Sequence, residues 1–239
     1  MNLNGRRALV TGGARRIGRA LSLDLAAAGA HVAIHYNASE KEAREVEAAC
    51  PSGVALQADL SDAAAAEGLV REAHERLGGL DILINSAGIW EATPLGEIDE
   101  AAWDRHLDLN AKGAFFCAQA AGLLMRKAGE GVIVNITDWA ALRPYPAYLP
   151  YFAAKAALMS VTVGLARALA PEVRVNAVAP GAILLPEAAG EERAAEVAEA
   201  TLLGRLGGTE AVVGAVRFLI ENDFMTGQIL TVDGGRSLR

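Results

Sequence analysis

Short apolar runs alternate with longer amphipathic stretches along most of the chain. Residues 7–11, 31–36, 54–58, 82–85, 131–136, 174–178 and 228–232 are rich in Val and Ile and have strand length. The first six are nearly continuous in apolar residues rather than alternating, which is the pattern of strands covered on both faces. Between them, apolar spacing near 3.6 predicts helices over 16–28, 39–49, 62–77, 100–127, 151–169 and 210–221. Ser39, Ser61 and Thr209 stand where N-caps are expected, and Gly29 and Gly78 where helices stop. Such alternation implies a parallel sheet joined by right-handed crossovers, an α/β fold with helices on both faces. Neither a linker nor a repeat divides the chain, so residues 1–239 read as one domain. The stretch 184–208 breaks the rhythm. It is Ala/Glu-rich and predicted helical, and it falls where either a substrate lid or a plain surface excursion would sit.

Composition narrows the function classes. Apolar residues make up 52% and charged residues 21%, enough to build a sizeable core and too apolar for disorder. Aromatics are only 5%, so the core must be mostly aliphatic, which suits helices packed closely on a sheet. A net charge of −7 argues against a nucleic-acid partner, although a small anionic cofactor needs only local positive charge. Cys50 and Cys117 have no metal or redox spacing, and they read as reduced thiols of a cytoplasmic protein. His31, His35, His74 and His106 show no metal-site spacing either. The N-terminus enters a strand pattern without a signal-like segment, and no uninterrupted apolar run reaches the roughly 20 residues that span a bilayer. No membrane partner is expected.

Candidate chemistry begins where the first strand ends. The run Thr11-Gly12-Gly13-Ala14-Arg15-Arg16-Ile17-Gly18 leads straight into a helix. Glycines there let the backbone turn tightly and approach a pyrophosphate, and the helix N-terminus offers its free N–H groups. The end of the second strand reads His35-Tyr36-Asn37-Ala38-Ser39, with no acid before Glu40. A carboxylate at that place serves NAD by binding ribose hydroxyls, whereas Arg, His and Ser accept a 2′-phosphate. With Arg15 and Arg16 nearby, the expected cofactor is NADP(H), although one of these two arginines can equally be solvated.

Thr11-Gly-Gly-Ala-Arg-Arg-Ile-Gly18, Asn85-Ser-Ala-Gly88, Asn110, Tyr151-Phe-Ala-Ala-Lys155 and Pro180-Gly181 follow one another at the spacing of the short-chain dehydrogenases/reductases, and the chain resembles that family over its whole length. The resemblance implies a single-domain Rossmann fold with a seven-stranded parallel sheet in the order 3-2-1-4-5-6-7, and a homotetramer. It implies that Asp59, with Leu60, lies at the adenine, that Asn85, Ala87 and Gly88 line the cofactor, and that Asn110 supports a relay water. Tyr151 is then the catalytic acid. Lys155 binds the nicotinamide ribose and lowers the Tyr151 pKa, Pro180 and Gly181 pass over the nicotinamide, and Ile183 bonds its carboxamide. Spacing is consistent with the pair, because residues four apart on a helix share a face. An adjacent ammonium would favour a phenolate, which otherwise forms only near pH 10.

Two departures from the family pattern shape the functional expectation. Arg16 replaces the middle glycine of the phosphate turn. Asp138, thirteen residues before Tyr151, replaces the family's catalytic serine. Thr137 carries a hydroxyl but is expected to face the other side of its strand. Both changes occur together in the pteridine reductases and dihydromonapterin reductases. Trp90 and the tail Val232-Asp-Gly-Gly-Arg-Ser-Leu-Arg239 also resemble that subgroup. A carboxyl can pass a proton to a ring nitrogen, and a flat heterocycle would stack against Trp90. The substrate expected is therefore a pterin or folate-like small molecule, bound by Trp90, Asp138, Trp139 and Tyr151, with Tyr145 and Tyr148 nearby. The alternatives are a capping role for Asp138, a core-packing role for Trp90, a carbonyl reductase acting on a 3-oxoacyl, sugar or other ketone, and a protein that binds NADPH without chemistry. Arg143 and Arg236 are either solvated or face an anionic substrate tail.

Overall fold

The computed structural model describes residues 1–185 and 190–239. Seven strands form one parallel sheet: β1 (Arg7–Thr11), β2 (His31–Tyr36), β3 (Gly53–Gln57), β4 (Ile82–Asn85), β5 (Gly131–Ile136), β6 (Val173–Pro180) and β7 (Ile229–Val232). Their order across the sheet is β3-β2-β1-β4-β5-β6-β7, as the sequence implied. Order reverses between β1 and β4, so their carboxyl ends open the crevice where ligands bind in such sheets. Two apolar layers flank the sheet. One packs α1 (Arg16–Ala27) and α8 (Gly208–Glu221) through Leu21, Leu25, Val212 and Leu219. The other packs α3 (Ala63–Leu77), α5 (Ala114–Ala128) and α6 (Leu149–Leu169) through Leu69, Cys117, Met125 and Leu169. The buried side chains are largely aliphatic, in keeping with the low aromatic content.

The helix read over 100–127 is interrupted. It consists of α4 (Glu100–Leu107), a π-turn over Asp108–Gly113, and α5. Asn110 explains the break: its side chain accepts from the Ile89 N–H at 3.1 Å and donates to the Ile89 carbonyl at 3.2 Å. One inserted residue leaves the apolar period on both sides intact, so periodicity does not reveal it. Two caps also differ from expectation. Asp62 rather than Ser61 caps α3, accepting from the Ala65 N–H, and Thr209 lies inside α8. Ser39 precedes α2 (Glu40–Ala49) without making a side-chain cap bond, while Gly29 and Gly78 take the left-handed conformation of helix stops.

A buried polar spine fixes α6 to the sheet. Asn85 Nδ2 donates to Asn135 Oδ1, Asn135 Nδ2 donates to Thr162 Oγ1, and Thr162 donates to the Leu158 carbonyl, all within 2.8–2.9 Å. By length and composition α6 is apolar enough to cross a membrane, contrary to the expectation that no segment would be. It packs against β6 and α5 and carries the buried Lys155, so its apolarity is that of a core helix. Cys50 and Cys117 are buried free thiols. The proposed lid at 184–208 falls partly on 186–189, outside the described residues. Within the remainder, α7 (Glu191–Glu199) is the helix expected there.

Candidate active site

A cavity of about 500 Å³ lies in the crevice at the carboxyl ends of β1 and β4. Its walls include Gly12, Arg15, Arg16, Ile17, Gly18, His35, Tyr36, Asn37, Ser39, Ala87, Gly88, Trp90, Asn110, Asp138, Tyr151, Lys155, Pro180, Gly181 and Ile183. Most residues singled out from the sequence therefore meet in one place. The floor of the phosphate turn is built by close approach. A Cβ on Gly18 would lie 2.1 Å from the Gly12 carbonyl oxygen, and Gly12 itself has φ +63° with Ala87 2.9 Å from where its Cβ would be. Thr11 Oγ1 accepts from the Ser86 and Ala87 N–H groups, tying β1 to β4 across the crevice. No side chain caps α1, so its first N–H groups are donors for an anion. That cradle fits a dinucleotide pyrophosphate.

At the adenosine end, Tyr36, Asn37 and Ser39 line the wall, and Asp138 is the only carboxylate among the lining residues described. His35 differs from expectation. Its Nδ1 accepts from the Gly12 N–H at 3.0 Å, which makes Nε2 the donor to the Ala58 carbonyl at 3.1 Å. Burial pushes its pKa down to about 4. A neutral ring with both nitrogens engaged braces the turn and adds no charge to a phosphate. Asp59, Leu60 and Asn85 are not among the cavity's lining residues. Asp59 accepts from the Ser61 N–H and hydroxyl, Leu60 is buried, and the Asn85 side chain belongs to the polar spine.

The chemistry-bearing groups lie at the other end. Asp138 follows β5, and its carboxylate is divided between two donors. Oδ1 accepts from the Ala140 N–H at 2.8 Å, and Oδ2 accepts from the Tyr151 hydroxyl at 2.9 Å. Capping and contact with the Tyr151 phenol are thus both true of Asp138. Burial raises the Asp138 pKa above the usual carboxylate range, with the Ala140 N–H, Tyr151, Lys155 and Arg236 opposing it. Burial and then the Asp138 charge push Tyr151 well above the ordinary phenol value. Burial and Asp138 outweigh the lowering of the Tyr151 pKa expected from Lys155. Lys155 Nζ donates to the Ile136 carbonyl at 2.8 Å and lies 5.8 Å from the Tyr151 ring centre. Burial lowers its own pKa to about 8. Thr137 spends its hydroxyl on the Val178 carbonyl, which leaves Asp138 as the polar partner of Tyr151.

A family model described as enoyl-(acyl carrier protein) reductase matches residues 12–237. The chain belongs to the short-chain dehydrogenase/reductase family. A 3-oxoacyl-(acyl-carrier-protein) reductase FabG of Staphylococcus aureus is 35% identical over 237 residues, covering 95% of this chain and 96% of that protein. A 3-oxoacyl-(acyl-carrier-protein) reductase of Synechocystis is 36% identical, covering 95% of each. The crystal structure of FolM alternative dihydrofolate reductase 1 from Brucella canis, complexed with NADP, superposes with a TM-score of 0.93 at 35% identity, covering 100% of this chain and 96% of that one. The protein is an NAD(P)-dependent oxidoreductase of this family.

Within that family pattern, the structure accounts for one departure directly. Arg16 has φ +50°, in the left-handed region that favours glycine, and its guanidinium donates to the Leu185 carbonyl at 3.2 Å. Trp90 is half exposed and stacks on Tyr148 with ring centres 4.7 Å apart and planes 6° from parallel, so one ring face is already covered. Trp139 does not line the cavity. Its ring meets Tyr145 edge-on and carries the Arg236 guanidinium, and Tyr145 in turn packs on Phe152. Among the neighbours of the site that escaped sequence reasoning are His106 and Ser86. His106, fully buried, meets Tyr151 edge-on at 6.4 Å, and Ser86 lines the cavity. His106 lies four residues before Asn110, a helical spacing that was the one available signal.

Proposed function

We propose that the protein is an NADPH-dependent reductase of a pterin-type C=N bond, acting on dihydropterins or dihydrofolate. The observation that carries this reading is the part-buried Asp138–Tyr151 hydrogen bond of 2.9 Å. A bound nicotinamide would supply hydride to the ring carbon. A proton must then reach the adjacent ring nitrogen, so that C=N becomes CH–NH. A carboxyl raised above its ordinary pKa and bonded to a phenol is suited to hand over that proton and take another from solvent. A ketone makes the opposite demand, because its developing alkoxide needs hydrogen-bond donors and is repelled by a carboxylate. Preference for NADPH is supported by the cavity wall, where Tyr36, Asn37 and Ser39 stand near the phosphate-turn residues Arg15 and Arg16 and Asp138 is the one acid among the described lining residues. Trp90 would offer its uncovered ring face to the heterocycle. A homotetramer is inferred from the family likeness, and the mass in solution checks it.

The second reading is a 3-oxoacyl reductase, favoured by the full-length likeness to two such enzymes. The two readings part at residue 138. NADPH oxidation would be followed with dihydrobiopterin, dihydrofolate and acetoacetyl-CoA, in the wild type and in Asp138→Ser. The C=N reading expects pterin turnover in the wild type, lost by about 10²-fold in the variant, since general acid catalysis contributes about that much. Wild-type turnover confined to acetoacetyl-CoA would overturn it.

A further inference from the structure

Around Trp139, which follows Asp138 in the chain, lie arginines that the chemistry above does not use. Arg236, in the C-terminal turn Arg236–Leu238, lays its guanidinium over Trp139 with Cζ 5.4 Å from the ring centre. The turn is fastened from two sides. Asp233 accepts from the Gly235 and Ser237 N–H groups at 2.9 and 2.7 Å, and Arg143 donates to the Ser237 carbonyl. Trp139 is itself wedged against Tyr145, ring centres 6.3 Å apart. The cation is therefore held by an aromatic face on a capped turn, and its position is built rather than incidental.

Neither Arg236 nor Arg143 makes an ion pair among the described residues, whereas Arg6, Arg7, Arg44, Arg105, Arg193 and Arg217 each do. The Arg236 charge nevertheless reaches the site, because it favours ionised Asp138 and ionised Tyr145 against the effect of burial. A guanidinium fixed beside the Tyr145 hydroxyl and over the ring of Trp139, the residue after Asp138, with no described carboxylate paired to it, leaves room for an anion brought by a ligand.

We infer that Arg236, supported by Arg143, forms an anion subsite that selects substrates carrying a carboxylate beyond the reducible ring, pteroylglutamates over unconjugated pterins. This rests on the C=N reading for the identity of the ring.

The test compares dihydrofolate, which carries the carboxylates, with dihydrobiopterin, which has the same ring and none. In Arg236→Met the ratio of kcat/KM for dihydrofolate to that for dihydrobiopterin is expected to fall about tenfold, the worth of one charge-assisted hydrogen bond. Arg236→Lys should recover part of the ratio. An unchanged ratio, whether or not both substrates slow together, overturns the inference, because Arg236 would then act only through Asp138 or the fold. If the wild type turns over neither compound, the ring assignment fails, and calorimetric titration of the NADP+-loaded protein with folic acid decides the subsite alone. Binding that weakens in Arg236→Met and with added salt supports it, and equal binding to both proteins or none to either overturns it. Loss in Arg236→Met confined to acetoacetyl-CoA would assign the anion as a phosphate and overturn the carboxylate.

Discussion

The two ends of the cavity are built from different materials. At the phosphate turn the working parts are backbone: N–H groups at the start of α1, two glycines without room for a Cβ, and a neutral His35 bracing Gly12. At the catalytic end they are side chains whose behaviour depends on burial: Asp138, Tyr151 and Lys155, ringed by Trp139, Tyr145 and Arg236. The first end tolerates few substitutions because a steric limit has no graded answer. The second can be retuned one residue at a time, and a fold shared with 3-oxoacyl reductases can thereby carry another chemistry.

The contrast breaks most sharply at Tyr151. Removing its hydroxyl in Tyr151→Phe takes away a proton donor and leaves the half-buried Asp138 carboxylate with the Ala140 N–H as its remaining described donor. Turnover is expected to fall by about 10²–10⁴, the usual contribution of a positioned acid, while the phosphate end still binds NADPH. Fluorescence titration with NADPH beside steady-state rates measures both. Loss of NADPH affinity as large as the loss of rate would show that the two ends do not act separately.

Lys155 supplies the next largest effect, and it is read in stability. Its pKa is lowered from 10.5 to about 8 because burial disfavours the ammonium. The native state therefore binds fewer protons than the unfolded chain between those two values, and stability rises with pH across that window. Below about pH 8 the full cost is present, on the order of 3 kcal/mol for a shift of this size. Lys155→Met carries no such titration. Urea denaturation at several pH values should show the wild type gaining on the variant by up to about 3 kcal/mol between pH 8 and 10.5. A difference independent of pH would mean that the ammonium is solvated or better paired than its surroundings indicate.

Legibility in the sequence follows the same division. The parallel sheet and the glycine turn are readable because continuous apolar runs and Gly12 and Gly18 each admit few structural solutions, whereas the strand order follows from the family resemblance and not from periodicity. The π-turn at Asp108–Gly113 was not, since a one-residue insertion leaves both flanking periods unchanged. His35 was read as a phosphate ligand because its residue type permits it, and only its two hydrogen bonds reveal a neutral brace. Proximity to Asp138 in sequence puts Trp139 in the pocket, yet Trp139 opens the short turn Trp139–Leu142 and its ring meets Tyr145 and Arg236 instead of the cavity. The Tyr151 pKa was inferred from its cationic neighbour, while the structure makes burial and Asp138 the larger influences.

Arg16 offers the smallest and most discriminating measurement, because it is a side chain placed in the backbone-built end. An L-residue at φ +50° carries a strain of roughly 1 kcal/mol that glycine does not. Arg16→Gly removes that strain but also makes the unfolded chain freer, so the net change in stability should stay within about 1 kcal/mol. For a chain of this length that corresponds to a shift of about 2–4 °C in Tm at most. The variant loses the guanidinium contact to the Leu185 carbonyl and a positive charge at the phosphate turn. NADPH binding should weaken about five- to tenfold, the range expected for one charge-assisted contact in a partly exposed site. Calorimetric melting with and without NADPH separates the two effects. A fall in Tm of the apoprotein well beyond that range would mean that Arg16 is held for the fold, and its left-handed backbone would then be a cost of structure rather than of cofactor binding.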